Sequence, residues 1–243
     1  MDNENRVKQF EQIVGLVANS MRDASFDSRT KQTFLASALM CTIFENACSC
    51  LQLIKIYHYS MVPVLMRNLF EARIDFKNIL KDSEYRKIMM AAYARQESTF
   101  FKGEAPDNPL YSAVIDTDWY KRRKRRSEEM DEKYKDILNN KEHLIKSRLE
   151  KAGDGGLYNT FYNWFCRESH NNIDALISRH IEEIDGRFQM VLFNDADSLR
   201  FFRVIGGILV ESAEEYFKHI GQEEERIDQA RVLYEELLLI KST

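Results

Sequence analysis

Only three prolines and nine glycines interrupt 243 residues, and this scarcity of chain breakers narrows what the sequence can become more than any other feature. Sandwiches and barrels need turn residues roughly every 8–12 positions, and the supply here falls far short. Leu, Glu, Lys, Arg, Met and Phe, which lose little on entering a helix or pack well from one, are plentiful instead. The chain is also long enough to bury most of its apolar surface in one core. These features predict an all-α fold, a mainly antiparallel multi-helix bundle of about eight helices forming one domain.

Apolar spacing locates the helices. Val7, Phe10, Val14, Val17 and Met21 fall on one stripe of a first helix, with a turn at Ser25-Phe26-Asp27-Ser28 after it. Phe34, Ala38, Cys41, Glu45, Cys48 and Leu51 trace a second stripe running toward Tyr59, with Glu45 on its apolar side. Over residues 62–80 apolar side chains cover nearly the whole circumference, so this helix should pass through the bundle centre. Asp82 or Ser83 can cap a fourth helix that Gly103 would end, with a loop over 104–109. Residues 118–151 are densely charged with a thin apolar seam, predicting a protruding helix or hairpin bent at Asn139-Asn140 and stopped by Gly153. The bundle is thus expected in two parts, 1–117 and 152–243, around this excursion.

Helical spacing returns over 158–170 and 173–181, broken near Asn171-Asn172 and stopped by Gly186. Residues 188–193 read as a short extended strand without an evident partner. Asp195 or Asp197 can cap a long helix closed by Gly221, whose Gly206-Gly207 pair suggests close helix approach, and a last helix carries Ile227, Leu233, Leu237 and Leu238.

A net charge of −4 at a pI near 5.8 creates no global field for polyanions, so any such attraction must be local. The acidic N-terminus and the lack of a long uninterrupted apolar run predict a cytoplasmic protein with no membrane association. Cys41, Cys48, Cys50 and Cys166 form no CxxC pair, and three of them crowd one apolar stretch, which predicts buried free thiols.

Phosphate-loop, dinucleotide, zinc-protease and nucleophile-elbow motifs are all missing from the sequence. None of His58, His143, His170, His180 or His219 has Glu three positions earlier, which removes the Glu-x-x-His pattern of di-iron bundles. No metal and no cofactor are expected.

Three polar constellations remain. Arg67 and Glu71 are neighbours on the central helix, and with Asn78 and Glu45 they predict a buried polar network. The run Tyr158 to Asn172 is rich in aromatics and contains Arg167, Ser169 and His170. Lys121, Arg122, Arg123, Lys124, Arg125 and Arg126 are consecutive cations in an acidic chain, beside Trp119 and Tyr120, which can stack on bases. A solvated helix face with i,i+4 ion pairs explains the same run without a ligand.

Met66-Arg67-Asn68-Leu69-Phe70-Glu71, followed about a hundred residues on by an aromatic helix with a Tyr…Ser…His pattern ending in Ser169-His170, resembles a bacterial all-helical family of unknown function. A second resemblance is to the HEPN ribonucleases, helical bundles of defence and toxin systems that pair Arg with His in a dimer cleft. Arg167 precedes His170 by three positions, closer than that pattern asks, and Arg67 has no nearby downstream His at the expected distance.

The resulting expectation is a bacterial effector or regulator of phage defence or stress that engages RNA through the basic run. Its polar site would comprise His170, Arg167, Arg67 and Glu71, with imidazole moving a proton and guanidinium holding phosphate charge. The alternatives are a noncatalytic scaffold that binds a protein partner or homo-oligomerises through its helices, and a small-molecule sensor with Arg67 and Glu71 lining a pocket. Sequence alone does not decide whether the chain is an enzyme.

Overall fold

The structure is a computed structural model that describes residues 3–27, 29–102, 109–170, 172–191 and 198–240. It is all-α: α1 (Asn3–Asp23), α2 (Lys31–Lys55), α3 (Val62–Lys81), α4 (Arg86–Lys102), α5 (Pro109–Ser112), α6 (Asp118–Lys133), α7 (Lys135–Asn139), α8 (Ile145–Ala152), α9 (Asn163–Ser169), α10 (Ile173–His180), α11 (Ser198–His219) and α12 (Glu225–Leu239). The only sheet among the described residues is a hairpin, β1 (Ile181–Ile184) with β2 (Arg187–Met190). The helices outnumber the eight expected because the charged and aromatic segments break into short pieces. Ser28, Gly103, 104–108, Asn171, Leu192, Phe193, Asp195 and Asp197, invoked above as turns, strand residues or caps, lie outside the described residues.

Two compact units divide the chain, one formed by residues 1–80 with 156–243 and the other by 81–155. In the first, α1, α2, α11 and α12 pack together. Phe10 of α1 meets Phe202 of α11 with ring centroids 4.8 Å apart. Gly206 and Gly207 let Tyr234 of α12 lie against α11: a Cβ at Gly207 would sit 2.7 Å from the Tyr234 hydroxyl, and one at Gly206 would sit 2.9 Å from its ring. That hydroxyl donates to the Arg203 carbonyl at 2.9 Å. Gly221, at φ +70°, ends α11 in a left-handed cap, with Gln222 N–H reaching the Phe217 carbonyl at 3.0 Å.

The expected α2 stripe is mostly the wrong face: of its members only Leu51 is buried, and Cys48 is half-buried. Met40, Ile43, Ala47, Cys50 and Ile54 are buried, whereas Phe34, Ala38, Cys41 and Glu45 are exposed. The helix is apolar nearly all round, and it is the one helix among the described residues with the length and composition to cross a bilayer, so periodicity alone could not choose its buried side. Only Cys50 of the four thiols is buried, and burial pushes it up to about 12.

α3 does run through the first unit. Gln32 of α2 donates to the Ile79 and Leu80 carbonyls at 2.7 and 3.1 Å. Its buried charge is Arg73, which forms two hydrogen bonds of 2.7 and 2.6 Å with Glu215 of α11 and lies 3.6 Å from Glu211. Sequence reading missed this pair because α11 supplies both carboxylates from a distant segment.

In the second unit, Ala91 and Ala94 of α4 pack on Met130 and Tyr134, with Ile137 and Leu138 alongside, so the thin apolar seam of the charged segment covers α4. Asp82 accepts from Glu84 N–H at 2.9 Å and starts the turn into α4. Lys141 at φ +59° bends the chain beyond α7, and Gly153 at φ +85° caps α8.

Candidate functional site

The residues that converge come from α3 and from the aromatic segment before and within α9. Arg67 and Glu71 are i,i+4 neighbours with Nε to Oε1 at 3.0 Å, and their side chains remain 28% and 31% exposed. Between them, Phe70 packs edge-on against Phe165 at 5.7 Å, and Phe165 is fully buried, which seats α9 on this face of α3. A single π-helical turn, Tyr158–Tyr162, enters α9 and delivers Tyr162 to the pair. Such turns often occur at functional sites because they re-aim one side chain without ending the helix.

Tyr162 donates to Glu71 Oε1 at 3.1 Å and accepts from Arg67 Nη2 at 3.2 Å. Burial, with Glu71 beside it, raises this phenol above its ordinary value despite the opposing pull of Arg67, so it keeps its proton. Burial also opposes the charge on Arg67, but Tyr162 and Glu71 outweigh that cost and hold the guanidinium above its ordinary value.

Beyond α9 the chain turns extended at His170, whose N–H still reaches the Cys166 carbonyl at 3.0 Å. This turn places His170 Nε2 3.2 Å from Arg67 Nη1, with Ser169 Oγ 3.5 Å from the same nitrogen. A guanidinium only donates, so Nε2 must present its lone pair and Nδ1 carries the ring proton. The result is an exposed imidazole with a basic nitrogen beside a fixed cation.

The expected network is therefore reassigned. Arg67 and Glu71 sit at the surface edge of the first unit, not in its core. Arg167 is not with them: it points to Asp174 at 3.3 Å, both side chains largely exposed. Glu45 is exposed on α2, and Asn78 is buried two turns further along α3. The Tyr…Ser…His pattern indicates a tyrosine of this run without its position, and Tyr162 is the one that bonds Arg67 and Glu71.

The basic run forms part of α6. Lys121, Arg122, Arg125 and Arg126 are exposed, while Arg123 and Lys124 are half-buried. Arg123 makes two 2.6 Å bonds to Glu97 of α4 and lies 5.2 Å from the Trp119 ring. Hydrogen bonding to Arg123, opposed by burial, holds the Glu97 carboxyl below its ordinary value. Arg122 and Arg126, one turn apart, line a cleft of about 350 Å³ with Glu97, Trp119, Tyr93 and Met130. Tyr120 is buried and packs on Phe101, so it offers no stacking surface. Among the described residues no His, Cys, Asp and Glu group could hold a metal ion.

No curated protein and no solved structure matches the chain. A match to the family of unknown function DUF5677 spans residues 33–188, well over half of the chain, from α2 into β2 and including both polar regions. The chain belongs to this family of unknown function, DUF5677.

Proposed function

We propose that the chain is a cytoplasmic effector or regulator, of the stress or phage-defence kind, that engages RNA and acts on its phosphodiester backbone at Arg67 and His170. The observation that carries this reading is the exposed imidazole held 3.2 Å from a half-buried guanidinium by segments 103 residues apart. An imidazole can take the proton of a ribose 2′-hydroxyl as that oxygen attacks the adjacent phosphorus and return it to the departing 5′-oxygen, giving a 2′,3′-cyclic phosphate and a 5′-hydroxyl, while the neighbouring cation stabilises charge on the attacked phosphate. His170 must first release Arg67, which an incoming phosphate oxygen accomplishes by accepting from the same guanidinium N–H. Tyr162 and Glu71 keep the guanidinium plane fixed while this exchange happens. The cleft on α6 supplies a separate contact: Arg122 and Arg126 for phosphate, Trp119 for a base.

One observation favours a noncatalytic reading. Each guanidinium nitrogen of Arg67 already has a partner within the protein, as expected of a clamp that fastens α9 to α3. His170→Ala separates the two readings. A folded variant that loses RNA cleavage by about 10²-fold or more supports the catalytic reading. Unchanged cleavage, or no cleavage by the wild type, leaves the clamp.

A further inference from the structure

The hairpin after α10 carries information that the polar site does not use. Its loop is the two-residue Asp185-Gly186, both at positive φ (53° and 72°), the arrangement that matches strand twist. Ile181 faces Met190 and Glu183 faces Phe188, so these four share one side; Glu182, Ile184, Arg187 and Gln189 share the other. Every residue of the hairpin is exposed, with Phe188 at 76% and Met190 at 86%. A two-stranded ribbon with no covered face is marginal by itself.

The two outer edges differ in chemistry. Val191 N–H bonds to the His180 carbonyl, so residues 180, 182 and 184 pair inward with 191, 189 and 187, and the N–H and C=O groups of Phe188 and Met190 point out from β2. The β1 edge presents the adjacent carboxylates Glu182 and Glu183, the charge protection that exposed strands commonly carry. β2 has one charge, Arg187 beside the turn, and from Phe188 to Val191 it reads Phe-Gln-Met-Val without another.

We infer that the β2 edge pairs with the β2 edge of a second copy of this chain, making a four-stranded antiparallel sheet across a twofold axis. Opposed residues share a face in any twofold register, and the register with the axis between the two Gln189 residues is the one that engages the outward groups of both Phe188 and Met190, with Phe188 of each copy opposite Met190 of the other. Those are the residues whose backbone groups point outward, so the pairing forms four N–H to C=O bonds and two aromatic–methionine contacts. The same operation on the β1 edge would oppose Glu182 with Glu182 and is disfavoured by like charge.

Cysteine cross-linking of the full chain tests the register, with exposed Cys41 changed to Ser to remove its thiol from the readout. Gln189→Cys should give a disulfide-linked dimer on mild oxidation, since opposed residues of a non-hydrogen-bonded pair lie within disulfide reach. Phe188→Cys alone should not, but an equimolar mixture of Phe188→Cys and Met190→Cys chains should. Met190→Pro removes an outward N–H and leaves the internal hairpin bonds intact, so sedimentation should show dimer becoming monomer with unchanged helical circular dichroism. A wild-type chain that sediments as a monomer at 100 μM (about a hundredfold above a micromolar association), or a dimer that Met190→Pro leaves intact, overturns the inference.

Discussion

Removing Arg73 should damage the fold far more than removing Arg67, although both are arginines of α3 paired with glutamates. The Arg73 side chain is 8% exposed and makes bonds of 2.6 and 2.7 Å to Glu215, which is 41% exposed. Breaking a buried pair costs roughly 3–5 kcal/mol, mostly through the stranded charge. Glu215 can turn to water, which trims the electrostatic part, while the lost guanidinium packing near Phe76 adds a cavity. Arg73→Ala should therefore cost about 3 kcal/mol, a fall in Tm of about 6–12 °C at this chain length. Arg67→Ala removes bonds from a site about 30% exposed, where water replaces the lost partners, and should cost about 1 kcal/mol, or about 2–4 °C. Differential scanning calorimetry of both variants at pH 7 checks the ranking. An Arg67→Ala loss equal to or larger than that of Arg73→Ala refutes the assignment of the buried ion pair to α3 and α11.

Gly207→Ala places a methyl group against the Tyr234 hydroxyl and should destabilise by about 1–3 kcal/mol, with part of the loss recovered in the double variant Gly207→Ala/Tyr234→Phe, as read by urea denaturation. Because the folded Glu97 carboxyl titrates below its ordinary value of 4.5, its stabilisation is full above that value and disappears as pH falls through the depressed one; acid melting followed between pH 5 and pH 2 should lose this component in Glu97→Gln. Thiol titration of native protein at neutral pH should modify exposed Cys41 first and leave buried Cys50 unreacted until denaturant is added.

The sequence made the helices legible because their boundaries rest on local chemistry. Gly153 and Gly221 cap α8 and α11 at positive φ, and Asp82 starts the turn into α4. It also exposed the Arg67, Glu71 and His170 constellation, since an i,i+4 charged pair on an apolar helix and a histidine ending an aromatic run are local patterns. What it hid depends on distant segments. α2 is apolar around its circumference, so only packing against α1 and α11 decides that Glu45 faces solvent. Nothing in the residues around Arg73 marks it as buried and paired; the partners Glu211 and Glu215 come from α11. Arg167 shares a short helix with Ser169, yet its direction separates it from His170 and sends it to Asp174. The strand over 188–190 gained its partner from residues read as the end of a helix, although Asp185-Gly186 was a sufficient hairpin signal.

Joint action of Arg67 and His170 on an RNA phosphate can be read from a cleavage assay on the purified protein. A 5′-labelled single-stranded RNA and its 2′-deoxy counterpart are incubated with wild type, Arg67→Ala, His170→Ala and the double variant, each first confirmed to be folded by calorimetry. Wild type should cleave the RNA but not the 2′-deoxy substrate, each single variant should lose about 10²-fold or more, and the double variant should lose little beyond either single one. Cleavage that persists in folded His170→Ala, or wild type that leaves the RNA intact, contradicts that joint action.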